Sequence, residues 1–464
     1  MPGCTIRGKL IETVSPRRCT INHYDTCIIR RITSKLLYCC VIPVGLLTYR
    51  SAKGYRKMVK VALVGIGGYG ASLLKSIRNA QSLGACQLIA AADSKSDELP
   101  EAGELSAQGI RIFSSAEGMF SEMRGQAQAM IIGTGIPSHE HLTVCAAKAG
   151  YHVHIEKPPA ATIQEVDRML EALRTAGRFC QVGFQAVHGE DVRLVKKRIV
   201  EGRLGKVSTL KCGAAWPRND TYYGRNGWAG KLRIGENWVL DGPATNALCH
   251  QISNMLLLAS DKPGEMARPA KVRAELYTTG NIEAHSTAAI EIITTEGVKA
   301  YFIASHTCND HFGPEILIDA QHASAVYKYV EGSTLKFADG TTENAPRSLD
   351  ASNNMMLNFI EAIEKDDKSL LRCPLEQTRQ IVLALNGAHE SSGSIIVIDD
   401  EHVKKVKDAQ GTRLVVTGID DVITQCAEQG KLPSDLDKPP AWAKPTKPFS
   451  LEDYFSFPQR FCMS

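Results

Sequence analysis

The sequence predicts an α/β domain followed by an α+β domain built on a large, mostly antiparallel open sheet. Three observations carry that expectation. Apolar runs alternate with helical periods from 59 to 184, as strand–helix–strand units require. Six short β-rich runs then follow one another between 271 and 340, with no helical period between them. Helical periods resume at 353–366 and 374–392. A chain of 464 residues with 44% hydrophobic content has room for two or three domains.

The first 57 residues stand apart. They carry 11 Lys/Arg against 2 Asp/Glu, and the remaining 407 residues carry 43 against 48, so a basic leader precedes a slightly acidic body. That body gives no footprint for nucleic acid. Three readings of 1–57 compete: a signal sequence with a long basic leader, a basic membrane-surface arm, or upstream sequence translated ahead of the natural start. Its longest apolar stretch, Leu36–Tyr49, has 14 residues, short of the roughly 20 that cross a bilayer. Met58 opens "MVKVALVGIGGYG" one strand before the first glycine, which favours the third reading. The extension is therefore expected to lie outside the fold. Nine cysteines are scattered through the body without a CxxC pair or metal-ligand spacing. They read as reduced thiols, so a cytoplasmic location and no metal are expected.

Val59–Val64 is a β-branched-rich run, and it is followed by Gly65-x-Gly67-x-x-Gly70 and then a helical period to Arg78. A second apolar strand, "CQLIAAAD", ends in Asp93, 23 residues beyond Gly70. Gly65 permits the tight turn, Gly67 lets the backbone approach a pyrophosphate, and Gly70 lets helix and strand pack closely; Gly68 and Tyr69 complete the loop. The amides of the following helix then face the negative charge. A carboxylate about 20 residues on suits a ribose 2′-hydroxyl and repels a 2′-phosphate. The expectation is a Rossmann dinucleotide-binding domain over 58–184 that prefers NAD, with NADP less favoured.

Further strands follow at "AQAMIIGTG" (127–135), which contains Thr134, and "YHVHIEKPPA" (151–160), with Pro137 and His141 between them. The GIGGYG turn, Pro137 with His141, Glu156-Lys157-Pro158, "QVGFQ" (181–185) and "VKKRIVEGRLGKV" (195–207) together resemble the Gfo/Idh/MocA oxidoreductases, the family of glucose–fructose oxidoreductase and inositol dehydrogenase. The resemblance spans about 58–400. It implies that Lys157 stands beside the nicotinamide and the substrate, that Glu156 lies by the cofactor ribose, and that Pro158 sets the turn. A lysine at the carboxyl end of a strand also points into the crevice where open α/β sheets bind ligands.

The region 214–258 runs from an aromatic- and arginine-rich loop into a helix. In the family the corresponding helix carries an acid and a histidine four residues apart; here the pair is Asn246 and His250. That spacing places both on one face of an α-helix. His250 fits a general base, whereas the amide at 246 bonds a hydroxyl without supplying negative charge. Asp241, five residues upstream, is a candidate to compensate. Arg218, Tyr222, Tyr223, Arg225 and Trp228 crowd the loop, with Trp216 and Lys231 beside them. Aromatic faces with guanidinium and phenol donors suit a polyhydroxylated substrate. Arg218 and Arg225 equally suit a carboxylate or phosphate, and the sequence does not choose. His306 and His311 stand near a strand end, where isolated histidines are usually structural.

The expected organisation is 1–57 basic extension, 58–184 dinucleotide domain, 185–403 substrate domain, and 404–464 an extension whose Pro/Lys-rich tail lies across the body or a neighbouring subunit. The resemblance implies NAD(P)-dependent oxidation of a secondary hydroxyl on a sugar, cyclitol or polyol, or the reverse reduction. A redox-neutral glycosidase or lyase using tightly held NAD and a non-catalytic dinucleotide- and sugar-binding regulator are the rivals. The expected partners are a small sugar-like molecule and further copies of the chain as a dimer or tetramer, with no membrane.

Overall fold

The computed structural model describes residues 58–463; the extension expected at 1–57 lies outside the described residues. Val59–Val64 (β1), Cys86–Ala92 (β2), Arg111–Phe113 (β3), Ala129–Ile132 (β4), His152–Ile155 (β5) and Cys180–Val182 (β6) form a sheet in the order β3-β2-β1-β4-β5-β6. Every neighbouring pair is parallel. The helices between them are Gly70–Ser82 (α1), Pro100–Ala107 (α2), Ala116–Glu122 (α3), His139–Lys148 (α4) and Ile163–Ala176 (α5). This is the Rossmann arrangement that the sequence predicts. Its order reverses between β1 and β4, which opens a crevice at the carboxyl ends of those strands. Local chemistry explains the elements: α1 buries Leu73, Leu74, Ile77 and Ala80 on one face. Thr162 and Glu165 form a capping box that starts α5 just after the β5 turn.

The second sheet begins after helix Glu190–Val200 (α6) with Val207–Ala215 (β7). A long loop follows, holding Asp220–Tyr223 (α7) and the two-residue strands Arg233–Ile234 (β8) and Asn237–Trp238 (β9), before helix Cys249–Leu258 (α8). Seven strands come next: Pro269–Thr278 (β10), Thr287–Thr294 (β11), Lys299–Ser305 (β12), Phe312–Ala320 (β13), Ala323–Lys328 (β14), Gly332–Phe337 (β15) and Thr342–Pro346 (β16). Helices Ala351–Lys365 (α9) and Leu375–Ser392 (α10) return, and a short strand, Ile396–Val397 (β17), closes the edge. The strand order is β16-β15-β14-β13-β7-β12-β11-β10-β17. Only β7–β12 and β10–β17 are parallel, so the sheet is open and mostly antiparallel.

Alternation along the strands separates its two faces. Leu210, Cys212 and Ala214 of β7, with Ala300, Phe302 and Ala304 of β12, join the main core under α8 and α10. Ala215, Tyr301 and Ile303 point the other way. The segment read from the sequence as an extension covers that second face. After the hairpin Val403–Asp408 (β18) and Gly411–Val416 (β19), helix Ile419–Gln429 (α11) lays Ile419, Ile423 and Cys426 on it. The chain then crosses the body, and Phe449–Ser450 (β20) pairs with β10.

Beyond β20 the tail is held by a buried carboxylate. Glu390 of α10 accepts from the Tyr454 hydroxyl (2.7 Å) and from the amides of Gln459 (2.7 Å), Arg460 (2.5 Å) and Phe461 (2.8 Å). Gln164 of α5 exchanges two hydrogen bonds with the Phe457 backbone, so the tail joins both domains. No helix of the described residues is long and apolar enough to cross a membrane. Glu390→Ala leaves four donors without an acceptor and should lower unfolding free energy by about 2–4 kcal/mol. Denaturant melts, with hydrogen exchange at 454–461, check this; unchanged stability and protection would show that the tail is not anchored through Glu390.

Candidate active site

The glycine turn closes β1 onto α1. Gly65 adopts φ +84°, and a Cβ at Gly70 would stand 1.9 Å from the Gly65 carbonyl oxygen, so neither position tolerates a side chain. Gly68 has φ +56° and faces open space, which leaves the helix amides reachable by a pyrophosphate. Asp93 stands at the end of β2, where the sequence places it. Its Oδ2 accepts from the Ile66 (2.8 Å) and Gly67 (3.3 Å) amides, so the carboxylate braces the turn as well as bordering it. Thr134 follows β4 and bonds Ser138 (2.7 Å), and Pro137 starts the turn into α4.

His141 does not join this site. It is exposed and paired with Glu117 (2.9 Å) on the outer side of α4. The residue that faces inward is His139, 1% exposed, with Nδ1 2.9 Å from the Pro158 carbonyl and Nε2 3.0 Å from the Thr134 carbonyl. Two residues along a helix turn by about 200°, so the pair cannot share a face. His139 shares the apolar face of Leu142 and Ala146, a periodicity legible in the sequence.

At the end of β5, Glu156 is 4% exposed and its Oε1 has no partner. Burial pushes its carboxyl up to about 7, against the opposing influence of Lys157. The Lys157–Pro158 bond is cis. Behind it, Asn386 of α10 bonds the Ile163 amide and the Ala161 carbonyl, both at 2.8 Å. In front, Lys157 Nζ donates to Asn246 Oδ1 (3.1 Å) and to the Asn246 carbonyl (3.2 Å).

Asn246 is turned by Asp241. The Asp241 carboxylate, 2% exposed, accepts from Asn246 Nδ2 (2.7 Å), the Gly230 amide (2.7 Å) and Arg225 Nη2 (3.3 Å). Donation of the Asn246 amide nitrogen to Asp241 leaves its oxygen facing Lys157, which fixes the orientation chemically. The charge of Asp241 is thus relayed to Lys157, whereas sequence reasoning weighed it as support for His250.

Asn246 and His250 do not lie on one α-helical face. Asn246 belongs to a π-helical turn, Pro243–Ala247, and α8 starts only at Cys249. Asn246 and Lys157 line a cavity of about 500 Å³ with Tyr69, Arg218, Tyr222, Arg225 and Trp228. His250 lines a neighbouring cavity of about 270 Å³ with Gln185, Tyr327 and Arg347; Trp216 and Ala247 border both. His250 Nδ1 is buried without a partner and its ring packs edge-on to Phe184. Burial and the nearby Lys157 charge hold His250 well below the usual histidine range.

Tyr223, grouped with the cleft residues by sequence, turns inward instead: its hydroxyl is buried without a partner and its ring lies against Gly230. His306 and His311 brace Trp216, the first through the Trp216 carbonyl (2.9 Å) and the second by stacking on its ring. A larger groove of about 900 Å³ lies between α4 and α5, away from the glycine turn.

Residues 59–184 match the sequence profile of the Gfo/Idh/MocA proteins, an oxidoreductase family with an NAD-binding Rossmann fold. Over 204 residues the chain is 28% identical to inositol 2-dehydrogenase of Klebsiella pneumoniae subsp. pneumoniae, a match covering 44% of this chain and 55% of the relative. The chain thus spans about half the length of the curated relatives it matches. Its fold resembles the WlbA dehydrogenase of Bordetella pertussis, solved with NADH and UDP-GlcNAcA (TM-score 0.59, 22% identity, 72% of this chain and 97% of that one). It also resembles an inositol dehydrogenase homologue from Azotobacter vinelandii solved with NAD+ (TM-score 0.60, 16% identity, 70% and 93%). These structural likenesses concern the fold.

Glu156 makes stability pH-dependent in a stated direction. In the unfolded chain it ionises near the ordinary 4.5, in the fold near 7. Between these values the folded state keeps a proton that the unfolded chain has released, so stability falls as pH rises and levels off above about 7. Glu156→Gln removes that titration, and its melting temperature relative to the parent should climb between pH 5 and 7. A pH-independent difference would contradict the raised carboxyl.

Proposed function

We propose, from the match of residues 59–184 to the Gfo/Idh/MocA oxidoreductases, that the chain is an NAD-dependent dehydrogenase acting on a secondary hydroxyl of a sugar, cyclitol or related polyol. One observation carries the reading. A lysine at the end of β5, beside the glycine turn, is fixed by an asparagine–aspartate relay from the second domain. When bound, NAD would accept hydride from the carbon that bears the hydroxyl; the open glycine turn and Asp93 are the residues that would hold it.

Two of the three Nζ hydrogens of Lys157 are spent on Asn246, and the third is left for a substrate oxygen. In the reductive direction the ammonium gives that third proton to the substrate carbonyl oxygen as it becomes a hydroxyl; in the oxidative direction the amine nitrogen takes the same proton from the hydroxyl and ends as the ammonium. Asp241 steadies the positive charge through Asn246. The rings of Tyr222 and Trp228 offer flat faces to sugar C–H groups. His250, in the neighbouring cavity, receives no part in the proton transfer. Nine free thiols among the described residues, seven of them buried, suit a reducing compartment, and a cytoplasmic location belongs to the proposal.

Lys157→Ala should lower kcat by about 10²–10⁴-fold while NAD affinity stays within a few-fold. Near-normal turnover would overturn the assignment.

The relay has its own test. Asp241→Asn removes the charge, and Asn246→Asp alone sets a second carboxylate against Asp241, where one must keep a proton. Each should slow turnover and move the pH–rate profile. The exchange variant Asp241→Asn/Asn246→Asp restores one acid and one amide and should recover activity beyond the product of the single effects. Strictly multiplicative losses would show that the two side chains act independently.

A further inference from the structure

The positive charges around the cleft are unevenly balanced. Between 218 and 233 the loop carries four basic side chains. Arg225 is paired with Asp241 (3.3 Å), Lys231 with Glu283 (2.6 Å) and Arg233 with Glu236 (3.2 Å). Arg218 has no carboxylate partner among the described residues. Its guanidinium lies 4.6 Å from the centre of the Tyr222 ring and 5.6 Å from that of Trp216, and its Nε is buried with nothing to donate to.

Arg218 lines the same cavity as Lys157. The acids at the cleft do not offset it. Asp241 is shared between Arg225 and Asn246, and burial holds Glu156 up to about 7, so much of it is uncharged at neutral pH. Two cations in a half-buried cleft with this little counter-charge repel each other, a cost that an incoming anion removes. The rings hold the guanidinium plane in place, which lowers the entropy lost when a planar group docks on its fork.

We propose that Arg218 binds a carboxylate on the substrate, so that the molecule oxidised beside Lys157 is an acidic sugar rather than a neutral one. This rests on the dehydrogenase reading for the word oxidised, and on the charge pattern alone for the carboxylate. A carboxylate is favoured over a phosphate because one planar guanidinium fork matches two coplanar oxygens, with no second unpaired guanidinium in the same cavity.

The test is calorimetric titration of the NAD-loaded full chain with matched probes: D-glucuronate against D-glucose, D-galacturonate against D-galactose, and D-glucose 6-phosphate. The carboxylated member of at least one pair should bind about tenfold or more tightly than its neutral partner. Arg218→Gln should abolish that preference with NAD affinity unchanged, and Arg218→Lys should restore part of it. Equal binding within both pairs, absence of binding by all probes, or tighter binding of the phosphate overturns the proposal. NADH formation is followed on the same samples. An acid that binds through Arg218 but is not oxidised sinks the dehydrogenase reading and leaves the carboxylate site standing. A neutral sugar that is oxidised while the acids fail to bind does the reverse.

Discussion

A single buried carboxylate organises the join between the two domains. Asp241 lies 2% exposed, and an anion withdrawn that far from water is tolerable only if donors converge on it. Three do: Gly230 from the aromatic loop, Arg225 from the same loop, and Asn246 from the π-helical turn. Removing any one would strand charge in the interior, so the three segments are positioned together. The backbone shows the constraint as well. Leu240, immediately before, takes φ +54°, a left-handed conformation that a leucine adopts only when its surroundings over-determine it. Through Asn246 the same carboxylate reaches Lys157 on the other domain.

Much of the first domain was legible because its determinants are local. A glycine that must turn left-handed, a glycine that must lack a Cβ, and strands buried on both faces leave their marks within a few residues of sequence. Glu156-Lys157-Pro158 was legible for the same reason. Where reading failed, it assumed one regular geometry. Four residues from Asn246 to His250 make one face only in an unbroken α-helix, and the chain instead makes a wider turn that ends at Leu248 before α8 begins. The wider turn is what brings both the Asn246 carbonyl and its side-chain oxygen to Lys157. His141 reads as a cofactor residue from its place after Pro137, whereas the apolar periodicity of α4 points to His139. Tyr222 and Tyr223 are adjacent, so one must turn inward; nothing local says which.

The C-terminal segment shows a different limit. Its proline and lysine content reads as an extended tail, and extended it is, but Trp442, Leu451, Tyr454, Phe457 and Phe461 are all buried. Each such side chain contributes about 1.5–3 kcal/mol on leaving water, enough to hold a strap that has little regular structure of its own. Composition averaged over the segment conceals those few apolar positions. The partner of the strap, Glu390, looks in sequence like one more charge near a helix end, and only packing shows it fully buried with four donors upon it.

These constraints bear on how the cleft works. A lysine at a strand end carries a long, mobile side chain, and a group that must meet a reacting oxygen gains from losing that mobility before the substrate arrives. Here the restraint comes from both directions. Ahead of Lys157, Asn246 takes two of its three hydrogens under the direction of Asp241. Behind it, Asn386 grips the backbone of Ala161 and Ile163, fixing the turn that the strand end leads into. Asn246 and Asn386 both belong to the second domain, while Lys157 belongs to the first. The ammonium is therefore aimed only when the domains are docked, and the tail that bonds Gln164 on one side and Glu390 on the other keeps them so. For the proposed dehydrogenation, a cleft built docked with the Lys157 amine already oriented spends no substrate binding energy on assembling it.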